Sequence, residues 1–479
     1  MKNITRRSFL KKSALGAGLV GLSPRSWARV PGANDNIRIA VVGFNGRGGE
    51  HIHEWEKIKG VNLVGLCDVD SFILDKGVAA AKDKGHDVQG YTDIRKLLAN
   101  NDIDAISIAT PNHWHATAMV WAVQAGKDVY VEKPISHNVK EGEQMVQAAK
   151  QYNRIVQVGT QSRSSGALQE VVEWVQAGNL GKILVSRALC YKPRASIGKT
   201  TGPQPVPKTV DYDLWLGPAP MAPPRRKRFH YDWHWFWDYG AGDIGNQGIH
   251  EMDVARWFLG EQQLSPAVLT IGGRLGYEDD AQTPNTLVMF HDYEKAPLVM
   301  EVRGLPEKTG SNKMDNYKGG TIGIVVECEG GYVLVPSYEE YKVIDKDGKE
   351  IKHGKAYSDH FENFIQAVRS RNEKELRAPI FGGHLSTALC HTGNISYRLG
   401  HKQSPDAIRE QIKSDPGALA TFQRMAEHLA ANDVDLEKTP ATFGVPLRMD
   451  QATSKFIDNS EANELLKRDP REPYVIKLT

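Results

Sequence analysis

The hydrophobic pattern changes period repeatedly along the first third of the chain. Residues 37–42 read IRIAVV, a near-continuous apolar run that is typical of a parallel strand buried on both faces. Similar runs recur at residues 61–66, 105–109, 129–131 and 155–158, and helical patterns separate them at residues 73–81, 116–125 and 139–149. This alternation predicts a doubly wound parallel sheet, so we expect residues 36–158 to form an α/β domain.

A glycine-rich turn joins the first strand to the first helix. Gly43 and Gly48 match the outer glycines of the dinucleotide-binding pattern GxGxxG. Asn45 stands at the middle glycine, where Gly46 can take over the close approach to a pyrophosphate. Asp68 follows Gly48 by about twenty residues, where a carboxylate accepts hydrogen bonds from ribose hydroxyls and repels a 2′-phosphate. The pattern therefore predicts a Rossmann domain that binds NAD rather than NADP, with turn contacts from Gly43, Asn45, Gly46, Arg47 and Gly48.

Polar residues follow two of the predicted strands at their carboxyl ends. Ligands of open parallel sheets bind at these ends, so we expect the polar residues to face the cofactor. Lys133 also ends a strand, and the following Pro134 stiffens the turn that presents it. The predicted cofactor contacts at these strand ends are Thr110, Pro111, Asn112, His115, Glu132 and Lys133.

From about residue 159 the pattern changes to longer, alternating strands. They are predicted at residues 268–275, 286–291, 298–303, 320–327 and 332–335. Such strands favour an open, mostly antiparallel sheet packed against helices, which we assign to residues 159–400. Residues 401–479 are interpreted as a C-terminal extension in which we recognise no chemistry.

A proline-rich insert at residues 199–228 and an aromatic run at residues 229–239 interrupt this second region. The prolines predict an ordered loop without regular structure that wraps the site. Trp233 and Trp235 are candidates for a platform that stacks on the C–H faces of a sugar, and packing of the domain is the equal alternative.

Four segments together resemble the Gfo/Idh/MocA family, the oxidoreductase relatives of glucose-fructose oxidoreductase and inositol dehydrogenase. The segments are VGFNGRGGEH, ATPNHWH, AGKDVYVEKP and GNQGIHEMD, and the resemblance covers roughly residues 37–400. It implies a C-terminal α+β domain, a sugar or polyol substrate and, in many members, oligomerisation through the second sheet. It also implies that Lys133 lies beside the substrate hydroxyl and the nicotinamide, that Glu132 approaches the ribose, and that His115 is the TPNxxH histidine.

The same resemblance points to a helix that carries a DxxxH pattern. His250 fits the histidine, but Asn246 stands where aspartate is usual. An amide can bind a hydroxyl but cannot take its proton, so His250 would perform the acid–base work alone or with Asp243. Substrate contacts are therefore expected from Lys133, Asn246, His250, Trp233 and Trp235.

The first 28 residues are expected to be an export signal. Residues 5–11 read TRRSFLK, which matches the twin-arginine signal, and the apolar stretch at residues 14–22 is too short to span a bilayer. The signal predicts a periplasmic protein that folds around its cofactor in the cytoplasm and keeps it. Because the periplasm offers little free NAD, the cofactor is expected to be recycled within the site.

Composition excludes several other classes. The chain has 479 residues and a net charge of +2, which gives no charge excess for nucleic acid. Four scattered cysteines indicate buried thiols, and no later segment is predicted to span a membrane. The paired histidines lack a nearby Cys or HExxH pattern, so we predict no metal site.

These observations favour an exported, homo-oligomeric, NAD-dependent oxidoreductase that acts on a sugar, glycoside or cyclitol. One alternative is an NAD-dependent glycosidase that works by oxidation, elimination and reduction, as some members of the resembling family do. The other is a sugar-binding protein without activity, for which Asn45 and Asn246 are the only support.

Overall fold

The computed structural model of the protein describes residues 36–478. The predicted export signal at residues 1–28 therefore lies outside the described residues. Two sheets organise the described part of the chain. Within it, no helix combines the length and the apolar character needed to cross a bilayer.

The first sheet has six parallel strands in the order β3-β2-β1-β4-β5-β6. Its strands are β1 (Ile37–Val42), β2 (Val61–Cys67), β3 (Gln89–Tyr91), β4 (Ala105–Ile108), β5 (Asp128–Val131) and β6 (Val156–Val158). The helices between them are α1 (Arg47–Lys57), α2 (Ser71–Asp83), α3 (Ile94–Leu98), α4 (Asn112–Gln124) and α5 (Val139–Gln151). The predicted doubly wound sheet is confirmed, and the strand order reverses between β1 and β4, where such sheets bind ligands.

The second sheet has twelve strands and is mostly antiparallel, because only β7 and β10 pair in parallel. Its strands are β7 (Ile183–Tyr191), β8 (Ala267–Gly273), β9 (Thr286–His291), β10 (Leu298–Arg303), β11 (Ile322–Cys328), β12 (Gly331–Ser337), β13 (Glu340–Asp345), β14 (Glu350–Lys355), β15 (His401–Gln403), β16 (Ala441–Phe443), β17 (Leu447–Asp450) and β18 (Lys455–Phe456). The predicted combination of a parallel and a mostly antiparallel sheet is confirmed. The sequence pattern did not predict β7, although this strand lies centrally between β11 and β10.

Helices cover the second sheet and connect it to the first. They are α6 (Gly166–Gln176), α7 (Tyr212–Leu216), α8 (Ile249–Leu259), α9 (His360–Ser370), α10 (Ile380–Leu399), α11 (Pro405–Ile412), α12 (Pro416–Ala431) and α13 (Ser460–Glu464). Buried residues of α8 and α10, such as Phe258 and Leu389, share the largest core with the strands. Helix α10 also packs against α5, so one helix contacts both halves of the molecule.

Residues 401–478 do not form a separate extension. Strands β15, β16 and β17 continue the second sheet beyond β8. Near the end of the chain, Tyr474 is buried, and its ring centroid lies 5.3 Å from that of Trp114 on α4. This segment therefore completes the second sheet and then returns to the first domain.

We call residues 199–239 the strap. As predicted for the proline-rich insert, the strap has little regular structure beyond α7 and a 3₁₀ turn at Asp232–Trp235. Two backbone hydrogen bonds attach it to the end of β2: the amide of Ser71 donates to Thr209 O (2.8 Å), and that of Asp211 donates to Val69 O (2.9 Å). The strap thus runs across the carboxyl edge of the first sheet.

Candidate active site

A cavity of about 340 Å³ lies between the strand ends of the first sheet and the strap. This volume is in the range of small-molecule sites in proteins. Residues from both halves of the chain meet here. The predicted site residues that line the cavity are Gly43, Asn45, Gly46, Arg47, Asp68, Thr110, Pro111, Asn112, His115, Glu132, Lys133, Trp233 and Asn246.

The glycine turn leaves an open cradle at the rim of this cavity. Gly43 has a φ of +76°, and a Cβ there would lie 2.9 Å from the backbone of Thr110. A Cβ on Gly48 would lie only 2.0 Å from Gly43 O, so the turn closes tightly beneath the first turn of α1. A Cβ on Gly46 would meet no atom within 4 Å. The open position is thus Gly46, next to Asn45, and it leaves room for a pyrophosphate at a helix amino terminus.

Asp68 lies beside the same turn, just beyond the end of β2. Its carboxylate accepts hydrogen bonds from the amides of Phe44 (3.2 Å) and Asp70 (3.0 Å). Burial raises the pKa of Asp68, while the two amide bonds act in the opposite direction. A carboxylate in this place suits a ribose diol and disfavours a 2′-phosphate.

Two buried polar atoms in the cavity wall have no hydrogen-bond partner in the described part of the chain. They are Thr110 Oγ1 and Asn112 Oδ1, both at the carboxyl end of β4. Buried polar groups normally have a partner, so these atoms indicate a polar ligand. Together with the cradle at Gly46 and the carboxylate of Asp68, they fit a bound dinucleotide.

Glu132 forms the centre of a buried charge network under the cavity. Its Oε1 lies 3.0 Å from Nε of Arg47 and 3.0 Å from Nε2 of His51. Burial alone would raise the pKa of Glu132, but the His51 bond and the Arg47 charge hold it well below its usual value. Nδ1 of His51 lies 2.9 Å from Ser107 Oγ, which fixes the ring. Glu132 is therefore an anion in the cavity wall.

Lys133 extends from the end of β5 towards the second half of the chain. Its Nζ donates a hydrogen bond of 2.6 Å to the backbone oxygen of Asn246. The Lys133–Pro134 peptide is cis. The ring nitrogens of His115 lie 2.7 Å from Pro134 O and 2.7 Å from Thr110 O, so this histidine bridges the two strand ends.

Asn246 lies on a π-helical turn, Ile244–Gly248, that leads into α8. The sequence pattern predicted an ordinary helix carrying Asn246 and His250 on one face. The wider turn instead presents the backbone oxygen of Asn246 to Lys133, and Asn246 also lines the cavity. Such π turns are frequent at functional sites.

His250 and Asp243 do not line the cavity in the described structure. The ring of His250 lies against that of Tyr338, with centroids 4.9 Å apart. Burial and then the charge of Lys133 lower the pKa of His250 well below its ordinary value, so the ring is neutral. The carboxylate of Asp243 pairs with the guanidinium of Arg194, at 2.9 Å from Nε. His250 thus lies within the electrostatic reach of Lys133, whereas Asp243 is held in an ion pair.

Comparisons with known proteins agree with this arrangement. The family described as "Oxidoreductase family, NAD-binding Rossmann fold" matches residues 37–160. Its companion, "Oxidoreductase family, C-terminal alpha/beta domain", matches residues 165–430, which is more than half of the chain. The chain belongs to the Gfo/Idh/MocA oxidoreductase family. The resemblance inferred from the motifs is thereby confirmed, as is the assignment of the first domain to an NAD-binding fold.

Curated relatives match part of this Gfo/Idh/MocA chain. A "Glycosyl hydrolase family 109 protein" of Shewanella sp. (strain W3-18-1) is 29% identical over 211 residues, which cover 39% of this chain and 46% of the relative. An "Alpha-N-acetylgalactosaminidase" of Shewanella oneidensis is 28% identical with the same coverage. The match thus spans less than half the length of these relatives.

Solved structures share the fold of this Gfo/Idh/MocA chain. The WlbA dehydrogenase from Bordetella pertussis, in complex with NADH and UDP-GlcNAcA, has a TM-score of 0.55 at 20% identity. The match covers 74% of this chain and 94% of that one. Levoglucosan dehydrogenase in complex with NADH and levoglucosan has a TM-score of 0.55 at 16% identity, covering 74% and 95% of the two chains.

Glu251 is a buried acid near Lys133 that the motifs of the sequence did not indicate. Its Oε1 accepts a hydrogen bond of 3.0 Å from Gln247, and its buried Oε2 has no partner in the described structure. Burial raises the pKa of Glu251 to about 8, against the opposing effects of Gln247 and of the charges of Lys133 and Lys192. The acid directly after His250 was the available signal, but only the fold shows that it is buried near Lys133.

The two candidate tryptophans have different surroundings. Trp233 lines the cavity, and its Nε1 donates to His230 O at 3.0 Å. Trp235 packs in the aromatic core of the strap, and the guanidinium of Arg194 lies 5.4 Å from its ring centroid. Trp233 belongs to the same core, but it also lines the cavity, whereas Trp235 was expected at the substrate and only packs the domain.

Histidines of the three sequence pairs have hydrogen-bond partners other than a metal. His51 pairs with Glu132, Nε2 of His113 lies 2.9 Å from Trp215 O, and Nε2 of His230 lies 3.0 Å from Asp70 Oδ2. Among residues 36–478, no three His, Cys, Asp or Glu side chains converge as metal ligands would. The four cysteines are buried free thiols.

Proposed function

We propose that this Gfo/Idh/MocA protein oxidises a hydroxyl-bearing carbon of a sugar, glycoside or cyclitol with bound NAD. The observation that carries the proposal is the position of Lys133. Lys133 lines the cavity that is also lined by the glycine turn and Asp68. A dinucleotide binding site and a fixed cation therefore share one enclosure of suitable volume.

Each end of the cavity has a distinct role. The turn around Gly46, the carboxylate of Asp68 and the unpaired atoms of Thr110 and Asn112 would hold NAD. When bound, NAD would serve as the acceptor of the hydride that leaves the oxidised carbon. Lys133 would orient the hydroxyl and stabilise negative charge that develops on its oxygen.

The proton of the hydroxyl needs an acceptor. His250 is proposed for this role from the family resemblance: its neutral ring can accept a proton, although in the described structure it packs against Tyr338 and does not line the cavity. Asn246 would bind a second hydroxyl from the opposite wall, and Trp233 would contact a C–H face of the ring. Asp243 is left out of this set because Arg194 neutralises it.

A glycosidase that returns the hydride after elimination is the second candidate. The observation that favours it is the strap, which is hydrogen-bonded to the end of β2 and covers the cofactor end of the cavity through Leu214, Trp215 and His230. A cofactor enclosed in this way suits a cycle that regenerates NAD in place. The relatives named as glycosyl hydrolases point in the same direction.

One experiment separates these functions. The purified full chain is analysed by native mass spectrometry for nucleotide, then mixed with aldohexoses, myo-inositol and 4-nitrophenyl glycosides. Reduced nicotinamide together with a keto-sugar supports the oxidoreductase, whereas release of nitrophenol without net reduction supports the glycosidase. Sugar binding without either product would indicate a binding protein, and absence of nucleotide from protein that also fails to bind added NAD would contradict both enzymes.

Export and assembly belong to the same proposal. We infer periplasmic export by the twin-arginine machinery from residues 5–11, and a homo-oligomer from the family resemblance. Replacing Arg6 and Arg7 together by lysine should retain the protein in the cytoplasmic fraction. Subunit number follows from the native mass spectrum, and a monomer at micromolar concentration would contradict the oligomer.

A further inference from the structure

His234 is a second imidazole at the cavity, and the roles described above do not use it. It lies in the 3₁₀ turn Asp232–Trp235 of the strap. Its side chain lines the same cavity as Lys133 and Asn246. The strap therefore contributes a polar group to the enclosure as well as covering it.

The contacts of His234 fix which nitrogen carries the proton. Nδ1 lies 2.6 Å from the carbonyl oxygen of Tyr231. Because a carbonyl oxygen only accepts hydrogen bonds, Nδ1 must be the donor. In a neutral ring, Nε2 then has a free lone pair and acts as an acceptor.

The ring is also held in one orientation. It stacks on Trp233 with centroids 3.7 Å apart and an interplanar angle of 20°. The turn itself is anchored, since Trp235 O accepts hydrogen bonds from the amides of Gln282 (2.9 Å) and Thr283 (3.3 Å). A fixed acceptor contacts a ligand without the entropy cost of ordering a mobile side chain.

Burial, together with two nearby cations, keeps His234 neutral. Burial is the main cause that lowers its pKa to about 3, the bond to Tyr231 opposes this, and the cations Lys133 and Arg194 lower it further. Arg194 is itself paired with Asp243. An imidazole with so low a pKa is a weak base near neutral pH but remains a good hydrogen-bond acceptor.

We propose that Nε2 of His234 accepts a hydrogen bond from a hydroxyl of the sugar substrate and thereby positions it under Lys133. The inference rests on the proposed function, because it assigns a contact to the substrate of that site. Lys133 supplies donors on one wall and His234 an acceptor on the strap. This pairing selects a ligand with a hydroxyl at the contacted carbon over the deoxy analogue.

Two variants of His234 test the contact, because they retain different halves of the imidazole. His234→Asn places an amide at Nδ1, keeping a donor for Tyr231 O while deleting the acceptor at Nε2. His234→Gln extends an amide oxygen to the Nε2 position. On a sugar turned over by the wild type, we expect kcat/KM to fall about ten- to a hundredfold in the Asn variant and to recover largely in the Gln variant.

Monodeoxy analogues of that sugar complete a thermodynamic cycle, in which the loss of one substrate hydroxyl is combined with the loss of the His234 acceptor. A merely structural role of His234 would not couple these two changes. The wild type should discriminate strongly against one analogue, and the Asn variant should lose that discrimination. Unchanged kcat/KM in His234→Asn, or undiminished discrimination, overturns the proposal. Bound nucleotide and melting temperature, measured on each variant, show whether it is folded. If the Asn variant is not folded, discrimination against the deoxy analogue is compared between the Gln variant and the wild type.

Chemical modification tests His234 even if no sugar is turned over, an outcome that would contradict the proposed function. Diethyl pyrocarbonate acylates the unprotonated nitrogen of an accessible imidazole, and peptide mass spectrometry locates the product. The rate at His234 should be nearly constant between pH 7 and 5, whereas that of free N-acetylhistidine falls about 25-fold. No acylation at His234, or a decline parallel to the free imidazole, overturns the inference.

Discussion

Lys133 is a half-buried cation whose hydrogen-bonding capacity is only partly used by the protein. An ammonium has three donors, and one of them bonds to Asn246 O. Burial lowers the pKa of Lys133, Glu132 and Glu251 raise it, and Arg47 and Lys192 lower it. The remaining donors are available to a ligand, which is the chemistry expected where negative charge develops on oxygen.

Replacing Lys133 by methionine should lower turnover about 10²- to 10³-fold, the usual cost of removing one group that stabilises charge in a transition state. Bound nucleotide should be retained, since the turn and Asp68 are untouched. Stopped-flow measurement of nicotinamide reduction checks the rate, and Lys140→Met on the exposed face of α5 is the control. Equal turnover in both variants would remove Lys133 from the mechanism.

At this scale, sequence reasoning identified residues whose place follows from a strand end. Lys133 and Asp68 follow predicted strands directly, so their position at the cavity could be inferred. His51 and Glu251 could not, because their roles depend on contacts between distant segments: His51 and Glu132 are 81 residues apart in sequence. Burial raises the pKa of Glu251, and the period of hydrophobic residues along the sequence does not predict that burial.

Among the elements, the turn between β1 and α1 contains two adjacent glycines, of which only the second has room for a Cβ. A Cβ on Gly48 would lie 2.0 Å from Gly43 O, whereas one on Gly49 would lie 3.5 Å from Phe44 O. Gly48→Ala should therefore open the turn and abolish nucleotide binding. Gly49→Ala should keep the nucleotide and stabilise α1 by about 0.5–1 kcal/mol, because alanine favours helix. Native mass spectrometry and thermal unfolding of both variants check this, and retained nucleotide in Gly48→Ala would contradict it.

The strap is a second element whose contribution can be measured separately. Asp211 donates its amide to Val69 O and caps α7 through its side chain, which accepts from Leu214 N at 3.0 Å. Its φ of −72° suits proline, so Asp211→Pro removes the amide and the cap, while Asp211→Ala removes the cap alone. We expect nucleotide to dissociate faster from the Pro variant than from the Ala variant. Equal dissociation rates, followed by nucleotide fluorescence on dilution, would show that the strap does not retain the cofactor.

Helices and strands with a clear hydrophobic pattern could be predicted from the sequence. Those whose conformation depends on tertiary packing could not. Strands β9 and β10 coincide with the strands predicted at residues 286–291 and 298–303, where residues of high strand propensity are dense. The π turn at Ile244–Gly248 has no sequence period of its own, so it was read as ordinary helix. Strand β7 was missed because its residues ILVSRALCY mix polar with apolar types, and the buried Ser186 and Arg187 find partners only in the fold.

At the scale of the whole molecule, the cavity depends on the meeting of the two halves of the chain. The first sheet supplies the glycine turn and Lys133, and the second half supplies Asn246 and the strap. Residues 401–478 were not predicted to take part in this architecture, since three-residue strands such as β15 and β16 are too short to show a pattern. Their pairing with the second sheet is a tertiary effect.

Acid should destabilise the whole molecule through its buried histidines. Burial lowers the pKa of His113 and His291 to about 3, and that of His360, His384, His391 and His428 to about 4. An unfolded chain binds these protons near pH 6.5, so stability is complete above that pH and declines as the pH falls towards the folded values. Each histidine contributes up to about 1.4 kcal/mol per pH unit in that window. Thermal unfolding between pH 7 and 5 should show a steep loss of the free energy of unfolding. His291→Leu should reduce the slope of that free energy against pH by the equivalent of about one proton. A flat profile would contradict neutral burial of these rings.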